Sequence, residues 1–319
     1  MVLIIDMPET SLNGSEMSEK DIKREDVFYY SDGYKITAHL YRPSDWKSDD
    51  EPLPAVVCLT GYTGRKNVAT IDIPRRLARE GFVALAPDYV GYGEAEGPRG
   101  RNRPLEQAQN AYDAVTYLET IAGVNSDRIG VYGSSFGAAN AVWAAAFDSR
   151  MKVIVSAVGV HDGERWLRSV RSAYDWFKFR DMVHEESKRR VVTGEKSMIY
   201  RYDIYPNDPD AIEKPVMTFE EHGAEDVTHV DIESVEACFR YKPDWVVDRI
   251  SPRPVLFFAA EYDSIVPPEE IYKTYENCGE PKKLVDLKGA RHNHVYEFSN
   301  SDYFEVVAGE TTDWFRHYL

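Results

Sequence analysis

The pentapeptide Gly133-Ser134-Ser135-Phe136-Gly137 limits what this chain can fold into more than any other stretch. It follows a short apolar run, residues 128–132, and precedes a stretch of small residues, 138–147. The run has the length of a buried strand, and the small-residue stretch reads as a helix. Passing from strand to helix in so few residues requires a sharp turn. The turn brings the two elements closer than a Cβ at either glycine would permit. Ser135, at its centre, is forced into a strained conformation that lifts its hydroxyl clear of the sheet. Ser134 is one residue out of register and reads as a small packing residue.

The flanking sequence predicts the sheet that such a turn needs. Apolar runs at 54–59, 82–86, 153–158, 254–259 and 283–287 read as strands buried on both faces. Helical spacing appears at 71–80, closed by Gly81, at 107–121 and at 304–317. Strands alternating with helices predict an α/β fold with a mostly parallel sheet and helices on both faces. Residues 27–41 read as a β-hairpin turning at Asp32-Gly33, and the polar residues 1–24 as a loosely held N-terminal arm. Alternation stops over 161–250, a stretch rich in Trp, Tyr, Arg and Glu. It is expected to form a helical insertion capping one end of a core made by 25–160 and 251–319.

The net charge of −16 argues against nucleic acid or an anionic membrane as partner, since both select positive surface. Cys58, Cys238 and Cys278 are odd in number and widely spaced, which indicates neither a disulfide framework nor a zinc site. No run reaches the apolar length of a membrane span, and the expected compartment is the cytoplasm. The expected partner is a small-molecule substrate. An acidic surface with many aromatics is compatible with a homo-oligomer.

A serine hydroxyl is a weak nucleophile at neutral pH and needs a base, which in turn needs an acid to hold its tautomer. In this chain order the acid precedes the histidine. Asp263, after the strand at 254–259, is the candidate acid, with Glu261 and Asp162 as rivals. His292, after the last apolar strand, is the candidate base, with His294 as rival. The candidate oxyanion donors are the backbone N–H of Phe136 and that of Tyr62, in the loop Thr60-Gly61-Tyr62-Thr63-Gly64. Trp166 and Trp176 are candidates for lining the pocket, with packing inside the insertion as the alternative.

Together with Asp88-Tyr89-Val90-Gly91-Tyr92-Gly93, these motifs resemble the α/β-hydrolase superfamily. The likeness is nearest to its dienelactone-hydrolase-like and Xaa-Pro dipeptidyl-peptidase-like (cocaine-esterase-type) members. It covers roughly residues 25–319 outside the insertion. The resemblance implies the α/β-hydrolase fold, a Ser-His-Asp triad, an acyl-enzyme intermediate and no cofactor or metal. Thr60-Gly61 stands where many members carry His-Gly. The expected activity is serine hydrolysis of a small-molecule ester or related acyl bond. Amide, peptide or carbon–carbon hydrolysis and acyl transfer use the same groups, and a non-catalytic binding protein is the third reading. An aminopeptidase would need an acidic anchor for the substrate amine, for which Glu164 and Asp175 are examples.

Overall fold

The computed structural model describes residues 1–6, 22–47, 50–67, 71–206 and 227–319. The strands among them are β1 (Val2–Asp6), β2 (Ile22–Ser31), β3 (Tyr34–Pro43), β4 (Leu53–Leu59), β5 (Val83–Pro87), β6 (Val124–Ser134), β7 (Met151–Ala157), β8 (Met198–Tyr200), β9 (His229–Asp231), β10 (Val255–Ala260) and β11 (Lys282–Lys288). The helices are α1 (Asp72–Arg79), α2 (Pro104–Glu119), α3 (Phe136–Phe147), α4 (Gly163–Ser169), α5 (Ala173–Thr193), α6 (Arg201–Ile204), α7 (Ile232–Phe239), α8 (Glu269–Asn277) and α9 (Ser301–Tyr318). Nine strands make one sheet in the order β1-β11-β10-β7-β6-β4-β5-β3-β2. Its pairs are parallel except β3 with β5 and β2 with β3.

The continuous apolar runs are explained by burial on both faces. Ala55, Val57 and Leu59 of β4 enter one core, which includes residues of α2, α3 and the insertion. Val56 and Cys58 enter the other, covered by Ile73 and Leu77 of α1 and by Phe304, Val307 and Phe315 of α9. This is the two-residue alternation of a strand applied to a sheet with no wet face. The hairpin turns as expected: Ser31 pairs with Tyr34, with Asp32 at φ 49° and Gly33 at φ 81° between them.

The N-terminal expectation is corrected, and for Trp176 the packing alternative holds. Val2–Asp6 is not part of a loose arm but an edge strand, paired in parallel with β11 from Val2–Leu284 onward. Its apolar residues extend the sheet by β-pairing, which their short length concealed. β2 likewise begins at Ile22, inside the expected arm, and residues 7–21 lie outside the described set. Trp176 packs on Phe239 and Phe179, ring to ring at 5.6 and 6.5 Å, within the insertion's own core. Among the described residues between β7 and β10, α4 to α7 dominate, with the short antiparallel pair β8–β9 added.

The elbow glycines are held at contact distance. A Cβ on Gly133 would meet the Gly137 carbonyl oxygen at 2.1 Å, and one on Gly137 would meet the carbonyl oxygens of Leu59 and Thr60 at 2.3 and 2.4 Å. These are backbone atoms at the end of the central strand β4 and cannot swing aside. Gly137→Ala is therefore expected to destabilise the fold by more than about 3 kcal/mol, as a denaturant titration followed by circular dichroism would show.

Candidate active site

Ser135 sits between β6 and α3 with φ 55° and ψ −124°, the strained geometry expected of the turn. Both of its backbone polar groups are used. Its N–H donates to the Ala157 carbonyl at 2.9 Å, and its carbonyl accepts from the Ala138 N–H at 3.1 Å. Ala157 ends the neighbouring strand β7, so the serine is fixed by the sheet on one side and by its own helix on the other.

The loop after β4 lies directly against it. A Cβ on Gly61 would stand 3.2 Å from the Ser135 Cβ and 3.6 Å from its Oγ. The Gly64 N–H closes the loop on the Gly61 carbonyl at 3.0 Å, with Thr63 at φ 55°. The loop thus brings Gly61, the residue before Tyr62, up to the serine. Phe136 opens α3, where the first N–H groups lack partners within the helix. The rings of Tyr62 and Phe136 meet edge to face at 5.3 Å.

A buried ion pair lies just beyond the loop. Asp88, fully buried at the end of β5, accepts from the Lys66 N–H at 2.9 Å, from the Lys66 ammonium at 2.6 Å and from Thr37 Oγ1 at 2.8 Å. Glu94 also contacts that ammonium at 2.6 Å. The ion pair ties the chain just beyond the Tyr62 loop to the turn at Gly91 and Gly93. A Cβ on Gly93 would lie 2.3 Å from Asp88 Oδ1, so glycine is what lets the turn wrap the carboxylate. The motif at 88–93 was visible in the sequence, whereas its partner Lys66 carried no local signal.

The candidate acid and base are brought together over a 29-residue separation. His292 Nδ1 donates to Asp263 Oδ2 at 2.6 Å, and both side chains are buried. The other carboxylate oxygen, Oδ1, accepts from the N–H groups of Ile265 at 2.9 Å and Val266 at 2.7 Å. With its Nδ1 proton engaged by a carboxylate, the imidazole keeps Nε2 as the free acceptor. The pair stands in the loops after β10 and β11, at the sheet edge where β6 delivers Ser135.

Comparison with known proteins bears on this arrangement. The sequence pattern of the X-Pro dipeptidyl-peptidase (S15) family matches residues 32–296. The chain belongs to that family. A polyketide transferase, GrgF from Penicillium sp, is 26% identical over 286 residues, which span 86% of this chain and 92% of its own. A thiohydrolase, AneE from Aspergillus aculeatus, is 23% identical over 290 residues, 86% of this chain and 88% of its own. The solved structure of DcsB in complex with its substrate analogue shares the fold, with a TM-score of 0.77 at 23% identity over 93% of this chain and 99% of that one. Family and fold make the chain an α/β-hydrolase.

Within this S15-family chain the rival residues have other tasks. Asp162 caps α4, accepting from the N–H groups of Glu164 and Arg165, and pairs with Lys242 at 2.6 Å. Glu261 accepts from the Gly289 N–H at 2.9 Å. His294 accepts from the Arg291 N–H at 3.2 Å and stacks on Tyr303. Ser134 is buried beneath the turn and accepts from the Tyr296 hydroxyl at 3.2 Å. His161, which follows β7, is wholly buried against Ser156 Oγ at 3.2 Å, and burial pushes its pKa down to about 3. It is a neutral structural ring. Of the two example amine anchors, Glu164 pairs with Lys242 at 3.2 Å and Asp175 accepts from the Ser172 hydroxyl at 2.6 Å. Both serve the ends of cap helices. Among the described residues no group of three or more His, Cys, Asp or Glu is arranged to hold a metal, and no helix is long and apolar enough to cross a membrane.

Proposed function

We propose that this α/β-hydrolase cleaves carboxylic esters and thioesters of small molecules through an acyl-enzyme on Ser135. The observation that carries the reading is the buried Asp263–His292 hydrogen bond at 2.6 Å, with the second carboxylate oxygen locked by two backbone N–H groups. A carboxylate held in that way has one task left, which is to orient and charge-balance an imidazole. His292 Nε2 takes the Ser135 proton as Oγ bonds to the acyl carbon. The N–H groups of Phe136 and Tyr62 receive the oxyanion. As the intermediate collapses, the leaving oxygen or sulfur departs with the proton from His292. Water then bonds to the acyl carbon as it gives a proton to His292, and the second intermediate collapses with release of the acid and return of that proton to Ser135 Oγ.

Acyl transfer is the second reading, favoured by the likeness to a protein named as a polyketide transferase. It differs only in the last step, where an acceptor hydroxyl replaces water on the acyl carbon. Peptide cleavage, the activity in the family's name, uses the same groups and is the reading that the anilide assay below tests.

The test is fluorophosphonate labelling with peptide mapping, followed by parallel assays on a 4-nitrophenyl ester, an acyl thioester and an X-Pro 4-nitroanilide. Adduct on Ser135 with turnover of the ester and thioester, and little of the anilide, is the expected result. A folded protein that takes no label, or one that prefers the anilide, overturns it. Addition of a primary alcohol separates the two readings by whether ester product replaces free acid.

A further inference from the structure

Trp166 joins the helical insertion to the loops around Ser135. It is 2% exposed, and its indole N–H donates to the Ile265 carbonyl at 2.7 Å. That carbonyl and the Val266 N–H belong to one planar peptide unit. The same N–H holds Asp263 Oδ1 at 2.7 Å. The indole therefore grips one end of a rigid plate whose other end grips the carboxylate facing His292. Its ring centroid also lies 6.4 Å from those of both Tyr62 and Phe136, the two residues whose N–H groups face the oxyanion in the reading above. A second strap lies beside it. Arg165 makes a bidentate pair with the buried Glu270, at 2.6 and 2.9 Å, and reaches Asp244 at 2.8 Å. Glu270 lies in the first turn of α8, just after the Asp263 loop.

We propose that Trp166 is a positioning residue for the Asp263–His292 pair, acting through the Ile265–Val266 peptide, so that the cap helix α4 is part of the catalytic apparatus and not only a cover. The inference rests on the assignment of Asp263 and His292 above. A burial role alone would require an apolar ring at this position. The hydrogen bond requires an indole, and the distinction can be measured.

Trp166→Phe keeps an aromatic ring and removes the donor. On 4-nitrophenyl acetate it is expected to lower kcat about tenfold while KM moves less than about threefold. The second readout needs no turnover. A histidine Nδ1 proton held by a buried carboxylate gives a far-downfield proton resonance, assigned here by its absence in His292→Ala. In Trp166→Phe that resonance is expected to broaden or vanish while the melting temperature stays within a few degrees of the wild type. Glu270→Gln, which keeps the shape but removes the charge gripped by Arg165, is expected to lower kcat about threefold with the same sign in the resonance. An unchanged resonance in Trp166→Phe overturns the proposal, whether kcat holds or falls together with stability. Absence of fluorophosphonate adduct on wild-type Ser135 would instead overturn the functional reading, and the resonance measurement is independent of that result.

Discussion

Ser135→Ala is expected to lower kcat on 4-nitrophenyl esters by about 10⁴-fold or more, and to abolish the fluorophosphonate adduct. The loss is large because the remaining groups have nothing to act on. On the proposed mechanism the backbone donors still polarise a bound carbonyl and His292 still accepts a proton, but no atom held near the carbonyl can form the acyl bond. Stability should hardly change. Ala and Ser both carry a Cβ, so both bear the cost of φ 55°, and the two hydrogen bonds that fix the residue are made by its backbone. Ser135→Gly supplies the contrast. It is expected to be equally inactive but more stable by about 1 kcal/mol, because glycine adopts that conformation without strain. Thermal melts of the three proteins check the order. If Gly were no more stable than Ala, the strain at the turn would not be stored in the serine backbone.

The contrast also shows what a sequence can disclose. Ser135 was legible because its requirements are local. A strand, two glycines and a helix lie within twenty residues, and each is there to permit the same turn. The continuous apolar runs were legible for a similar reason, since burial on both faces leaves a period-free pattern that few other elements share. Val2–Asp6 was not. Five residues carry too little pattern to distinguish an edge strand from a tail, and the partner that makes it a strand is β11, some 280 residues away. Lys66 was missed on the same ground. Nothing near it in sequence calls for a buried ammonium, and only the fold brings Asp88 to within 2.6 Å. Chain order leaves Asp162, Glu261 and Asp263 all between Ser135 and His292, and the decisive geometry is that Asp263 meets His292 at 2.6 Å while Asp162 caps a helix and Glu261 holds Gly289. Trp176 illustrates the limit from the other side. An aromatic in an insertion serves a pocket or a core equally well by composition, and here Phe179 and Phe239 claim it.

Asp263→Asn is expected to lower kcat by about 10⁴-fold while leaving the fold intact, through the tautomer of His292. Asp263 Oδ1 faces two donors, the N–H groups of Ile265 and Val266. In the asparagine variant that position must be kept by the amide oxygen, since an NH2 group there would oppose both. The amide nitrogen is then left where Oδ2 stood, 2.6 Å from His292 Nδ1 in the wild type. Two donors cannot share that bond, so the ring presents a lone pair at Nδ1 and carries its proton on Nε2. The nitrogen that should receive the Ser135 proton is already protonated, and general-base catalysis is lost without loss of any hydrogen bond. Asp263→Ala serves as the companion variant. It removes the acceptor altogether, strands two backbone N–H groups in a buried turn, and is expected to cost about 1–3 kcal/mol in stability besides activity. Comparing kcat and denaturation midpoints for the two separates the carboxylate's chemical task from its structural one. A retained kcat within tenfold of wild type in Asp263→Asn, with the protein folded, would mean that His292 is not oriented by Asp263 during turnover.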